Sequence, residues 1–175
     1  MKVIVPLAPG FEEIETMAIV DILRRAEVEV YLAGITESPV ASARGVKVIP
    51  DILIDDIPDY DAVVLPGGNP GYINLAGDER VLKLVKDAYK AGKYVAAICA
   101  APSVLGKAGI MEGITATHYP GIEVIGAKNT NERVTRDGTI ITSQGPGTAI
   151  EFALFLTEIF VGKTTSEIVR EAILA

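Results

Sequence analysis

The sequence predicts an α/β domain, a mostly parallel sheet with helices on both faces, and three observations carry that prediction. Short β-branched runs alternate along the chain with longer segments of helical period. The runs Lys2–Ala8, Asp61–Pro66 and Tyr94–Cys99 are nearly all apolar, as strands covered on both faces are. At 175 residues, 49% hydrophobic and 22% charged, the chain has the size and composition of one globular domain. A chain of this length buries roughly two-thirds of its unfolded surface, so no disulfide or metal is needed to hold it. No linker, repeat or low-complexity stretch divides it, and residues 1–175 are read as a single domain.

Lys2–Ala8 is the first expected strand, ended by Pro9-Gly10. Glu12–Ala26 follows as a helix, with Ile14, Ala18 and Ile22 four apart on one face. Glu29–Gly34, Val46–Ile49 and Asp61–Pro66 read as strands, the last ending in Gly67-Gly68. A helix over about Glu79–Ala91 carries the stripe Val81, Leu82, Val85, Ala88 and Tyr89, and Gly92 stops it. Tyr94–Cys99 is a strand and Pro102–Ala108 a short helix. Small strands are expected at Ile114–Thr117 and Glu123–Ile125, then a hairpin over Arg133–Ser143 turning at Asp137-Gly138. After Gly145-Pro146-Gly147, helices are expected over about Thr148–Val161 and Thr165–Leu174.

A formal net charge of −7 disfavours a phosphate backbone, and the densest basic cluster, Arg24-Arg25, sits inside a helix pattern, so nucleic acid is not an expected partner. Met1–Pro6 reads as a strand and lacks the apolar core and cleavage site of a signal peptide. The longest apolar run, about Ala149–Val161, is interrupted by Glu151 and Glu158 and is too short for a bilayer. No membrane association and a cytoplasmic location are the resulting expectations. One cysteine and one histidine form neither an internal disulfide nor a zinc cluster of such ligands. No P-loop is present, and Gly145-Pro146-Gly147-Thr148 lacks the third glycine of a dinucleotide fingerprint, so it reads as a helix start. No metal or cofactor is expected.

Sites in open α/β sheets form where loops converge at the carboxyl ends of strands. Three such loops hold chemistry: Glu12, Glu13 and Glu15 after the first strand, Gly67-Gly68-Asn69 after the third long one, and Cys99 after Tyr94–Ile98. Cys99 lies between a buried-type strand and a helix opened by Pro102, with alanines on both sides, as in a nucleophile elbow. A thiol there faces unpaired backbone N–H groups, which favour the thiolate and lower its pKa. A small buried hydrophobe is the competing reading of Cys99. Gly67-Gly68 is either a plain turn or a source of N–H donors for an oxyanion, beside the N–H of Ala100. A carboxyl of the first helix that pointed at the thiol would stay protonated and donate to sulfur, but spacing does not choose between Glu13 and Glu15. His118 pairs with Cys99 as base and nucleophile, or is a loop histidine.

The ordered motifs F-E-E-I-E-T, L-P-G-G-N, A-I-C-A-A-P, T-H-Y-P and T-S-Q-G-P-G-T resemble the ThiJ/PfpI superfamily, nearest the branch of the parkinsonism-associated protein deglycase and its bacterial relatives. The resemblance runs from about Val3 to Val161 and implies a flavodoxin-like three-layer sandwich and a homodimer. Carried over by position, it puts the nucleophilic, oxidisable cysteine on Cys99 and its protonated partner on Glu15. The backbone donors fall on Gly68 and Ala100, the nearby histidine on His118, and the substrate pocket on Gly67, Asn69 and Arg44. Arg25 aligns with an interface arginine, and Ala101 replaces a glycine common in the nearest relatives. The implied activity is a glutathione-independent glyoxalase or protein deglycase acting on methylglyoxal-type aldehydes or their early glycation adducts, without a cofactor. The resemblance also admits a redox-responsive protective protein, sensor or chaperone, working through Cys99 oxidation, and an intracellular cysteine peptidase.

Overall fold

The computed structural model describes residues 1–37 and 39–175. In chain order the first elements are β1 (Lys2–Leu7), α1 (Glu13–Arg25), β2 (Glu29–Gly34), β3 (Val40–Ala41), β4 (Lys47–Val48) and β5 (Ile52–Leu53). Then come β6 (Ala62–Leu65), α2 (Gly71–Gly77), α3 (Glu79–Lys90), β7 (Tyr94–Ile98), α4 (Pro102–Lys107), β8 (Thr115–Ala116) and β9 (Lys128–Asn129). The chain closes with β10 (Val134–Asp137), β11 (Ile140–Ser143), α5 (Ala149–Val161) and α6 (Lys163–Ala172).

The main sheet runs β10-β11-β7-β6-β1-β2-β5, and every neighbouring pair is parallel except the β10–β11 hairpin. Side-chain alternation splits the core in two. Val3, Val5 and Leu7 of β1, Val64 of β6 and Ile98 of β7 face α1 and α5. Ile4, Val63, Leu65, Val95 and Ala97 face the layer of α2, α3 and α4. This is the three-layer arrangement expected. Among the described residues no helix is long and apolar enough to cross a membrane.

The periodicity of α1 is read differently in the structure. Its core stripe is Ile19, Ile22 and Leu23 with Glu15 and Thr16, whereas Ile14 is 58% exposed and Met17 lies on the outer side. One strand of the main sheet and a helix escape the sequence pattern. β5 is only two residues long, and α2 hides behind Asn69-Pro70 with a glycine at each end. Val46–Ile49 contributes only β4, paired antiparallel with β3 outside the main sheet, with Ile49 exposed before Pro50. Glu123–Ile125 is not a strand, because its backbone lies against Gly106 of α4, where a Cβ would meet the Ile125 nitrogen at 2.9 Å. The hairpin turns at Gly138-Thr139, Asp137 being paired with Ile140. α6 begins at Lys163 and ends before Leu174.

Candidate active site

β1 has β2 on one side and β6 on the other, so successive crossovers leave it in opposite directions and open a crevice at its carboxyl end. The loops after β1 and β6 interlock there. Glu12 N–H donates to the Gly67 carbonyl (3.0 Å), Gly71 N–H to that of Gly10 (3.0 Å) and Tyr72 N–H to that of Gly68 (2.8 Å). Gly68, at φ +100°, packs so closely that a Cβ would meet the Gly10 oxygen and the Glu12 nitrogen at 2.4 Å. No side chain fits at that crossing.

Cys99 follows β7, the neighbour of β6, and adopts φ +64°, a left-handed conformation costly for a residue with a Cβ. Its backbone is held from both sides. Cys99 N–H donates to the Ser143 carbonyl (3.0 Å), and Tyr119 N–H donates to the Cys99 carbonyl (2.8 Å). The turn sets the sulfur near the backbone N–H groups of Gly68 and Ala100, which favour its thiolate. The side chain remains 9% exposed, at the floor of a pocket of about 320 Å³.

Glu15 comes from the first turn of α1, which Glu12 caps by accepting from Glu15 N–H (2.8 Å). Its carboxyl is fully buried beside the Cys99 thiol, accepts from Gly67 N–H at Oε2 (2.8 Å) and leaves Oε1 without a hydrogen-bond partner. Burial, ahead of all other causes, pushes its pKa up to about 7. The thiol is pushed up to about 12, first by burial and then by the Glu15 carboxylate, against the two N–H donors that favour the thiolate. The expectation of a lowered thiol pKa is therefore corrected. The two groups titrate as a coupled pair, the carboxyl releasing its proton before the thiol does.

The remaining predicted residues divide. Asn69 and Arg44 line the pocket with Gly68, Cys99 and Ala100. Gly67 lies behind the sulfur instead, where a Cβ would meet Cys99 Cβ at 2.7 Å and Glu15 Oε2 at 2.8 Å. His118 does not join the thiol: its Nδ1 lies 3.0 Å from the Tyr119 carbonyl oxygen, and it does not line the pocket. No Cys–His dyad forms. Arg25 is ion-paired with Asp21 (2.6 Å) on the outer face of α1. Glu12, Tyr72, Tyr119, Ile122 and Pro146 also line the pocket, and sequence reasoning missed them in that role. Glu12 and Pro146 lie in segments the sequence singled out, and Tyr119 is next to His118. Among the described residues no three His, Cys, Asp or Glu side chains converge as a metal site.

The DJ-1/PfpI family model matches residues 1–159. The chain is 41% identical to the zebrafish (Danio rerio) Parkinson disease protein 7 homolog, over 92% of this chain and 90% of that protein. It is 37% identical to the glutathione-independent glyoxalase DJR-1.2 of Caenorhabditis elegans, over 89% and 87%. The crystal structure of Drosophila melanogaster DJ-1beta superposes with a TM-score of 0.94 at 37% identity, covering 99% of this chain and 97% of that one. The Arabidopsis thaliana DJ-1 homologs B and A, each 38% identical, are longer: the match covers 93% and 98% of this chain but only 38% and 46% of theirs.

Proposed function

Because the chain belongs to the DJ-1/PfpI family, we propose that it is a cysteine-dependent, glutathione-independent glyoxalase acting on methylglyoxal-type aldehydes, with protein deglycase action on their early adducts. The observation that carries this reading is the Cys99 sulfur set between two backbone N–H donors and a buried, protonatable Glu15. A named glyoxalase among the relatives supports it.

The reacting form holds its one proton on Glu15, leaving a thiolate that the carboxyl no longer repels. Sγ adds to the aldehyde carbon, an S–C bond forms, and the carbonyl electron pair moves to oxygen. The N–H groups of Gly68 and Ala100 stabilise that charge, and Glu15 supplies the proton that completes the hemithioacetal. The Glu15 carboxylate then takes the C–H proton from the former aldehyde carbon and returns a proton to the neighbouring carbon. The hydroxyl proton passes to the adjacent oxygen. One carbon is oxidised and its neighbour reduced, so no outside oxidant is required, and the product is a thioester. Water cleaves its C–S bond, restores the thiolate and the protonated Glu15, and releases lactate and one proton. His118 has no part in this scheme, since its ring is engaged away from sulfur.

Cys99→Ser should abolish lactate formation from methylglyoxal, and Glu15→Gln should lower kcat by about 10²–10⁴-fold, the usual contribution of general acid–base help. Wild-type lactate production by the serine variant would overturn the assignment. The same donors around sulfur favour a second reading, a protective oxidation sensor, because N–H groups and a neutral carboxyl would hold a sulfinate. That reading takes over if the wild type makes no lactate while dilute peroxide adds two oxygens to Cys99. We also propose that two copies pair through the outer face of α1, where exposed Ile14 and Met17 adjoin Ile150 and Ile173 around a concavity of about 790 Å³.

A further inference from the structure

Three glutamates occupy one turn of α1, and each has a different set of partners. Glu12 caps the helix, and Glu15 meets the thiol. Glu13 does neither. Its Oε1 accepts from Ser42 Oγ (2.6 Å) and from the backbone N–H of Arg44 (2.7 Å), and its Oε2 is buried without a partner. Ser42 Oγ in turn accepts from Val46 N–H (2.9 Å). One carboxylate oxygen is thus the hub of the tight loop joining β3 to β4. The backbone bonds Ala43 N–H to the Phe11 carbonyl and Gly10 N–H to the Ala41 carbonyl (both 2.8 Å) dock the rest of that loop on the β1–α1 connection.

That loop delivers Arg44 to the pocket, where it is the only cationic residue among the described lining residues. The guanidinium has no ion-pair partner among the described carboxylates, and its Nη1 reaches only the neighbouring Ala43 carbonyl (3.3 Å). The Glu13 carboxylate acts on it only through space, its Oε1 being taken up by the loop's backbone and by Ser42. A guanidinium with no ion pair among the described residues therefore lines the same pocket as the sulfur, with Glu12 the other charged lining residue, on a loop held by Glu13.

We infer that Glu13 is a positioning residue: through the Ser42–Arg44 loop it fixes the Arg44 guanidinium at the pocket mouth, and so gives the Cys99 site its preference for reagents and substrates carrying an anionic group. The inference deepens the aldehyde-addition reading in naming a preferred substrate class, but its test does not depend on turnover. Alkylation of Cys99 by iodoacetate and by iodoacetamide forms the same S–C bond and expels the same iodide. At one pH the ratio of the two rates cancels the ionisation of the thiol and leaves the field that an anion meets at the mouth.

Two effects of removing Glu13 have opposite signs. Deleting a nearby negative charge alone raises the iodoacetate-to-iodoacetamide ratio, whereas losing the placement of Arg44 lowers it. The expected result for Glu13→Ala is a ratio lowered about 3–10-fold, the scale of one close charge interaction in water, to the level of Arg44→Ala. Glu13→Gln keeps the acceptor oxygen and should stay at or above the wild-type ratio. Glu13→Ala combined with Arg44→Ala should equal Arg44→Ala alone, since both act through one group. A ratio that rises in Glu13→Ala, or that falls equally in Glu13→Gln, overturns the inference. Because the readout is alkylation, a wild type that makes no lactate leaves this result standing and sinks only the glyoxalase reading.

Discussion

Glu15 and Cys99 tie catalysis to stability through one proton. The Glu15 pKa rises from its ordinary 4.5 to about 7 on folding, chiefly by burial, so the folded protein binds this proton more tightly than the unfolded chain. The sign follows from linkage: stability due to the proton is fully present below about pH 4.5 and is lost as the pH climbs to 7. The shift corresponds to about 3 kcal/mol at most. Urea denaturation at pH 5 and pH 8 should show wild type losing stability relative to Glu15→Gln, whose amide carries no proton to lose. Parallel curves for the two proteins would show that the carboxyl does not ionise in this window. The position of Cys99 was legible in the sequence because strand, small residues and proline sit next to it. The hub at Glu13 was not, since its partners Ser42 and Arg44 lie 29 and 31 residues away and no local pattern links them.

At the scale of elements, the site is a crossing of three turns, and Gly67 is where the Cys99 and Glu15 side chains crowd the backbone. An alanine there would place its Cβ 2.7 Å from Cys99 Cβ and 2.8 Å from Glu15 Oε2. Gly67→Ala should cost about 1–3 kcal/mol by overpacking and push the carboxyl off the Gly67 N–H, with most lactate formation lost. Denaturation midpoints and lactate assays together check this, and an alanine variant of wild-type stability and activity would refute the crowding. The long apolar strands and α3 could be read directly, because burial on both faces or along one stripe writes itself into composition and period. α2 could not: Asn69-Pro70-Gly71 signals a turn, and the helix forms because Leu75 packs into the α3–α4 layer. The stripe of Ile14, Ala18 and Ile22 misled for a related reason. α1 carries apolar residues on two sides, and only tertiary packing says that Ile19 and Leu23 take the core.

For the whole molecule, the outward side of α1 sets a prediction about assembly. Ile14→Glu places a charge in the middle of the apolar face formed with Met17, Ile150 and Ile173, and should convert a dimer into a monomer by sedimentation while leaving the thermal midpoint of the fold within a few degrees. A variant that sediments as the wild type does would remove this face from the interface. The backbone bonds that grip Cys99 have a consequence for how the protein is made. Ser143 ends β11, and its carbonyl is one of the two clasps on the left-handed turn. A ribosome releasing the chain from its amino end exposes Cys99 well before residue 143 emerges. Until then the strand that flanks β7 is missing and only the Tyr119 clasp is in place against the strain of the turn. The thiol acquires its full setting only once β11 has emerged, so a truncated chain ending before β11 carries a thiol without it.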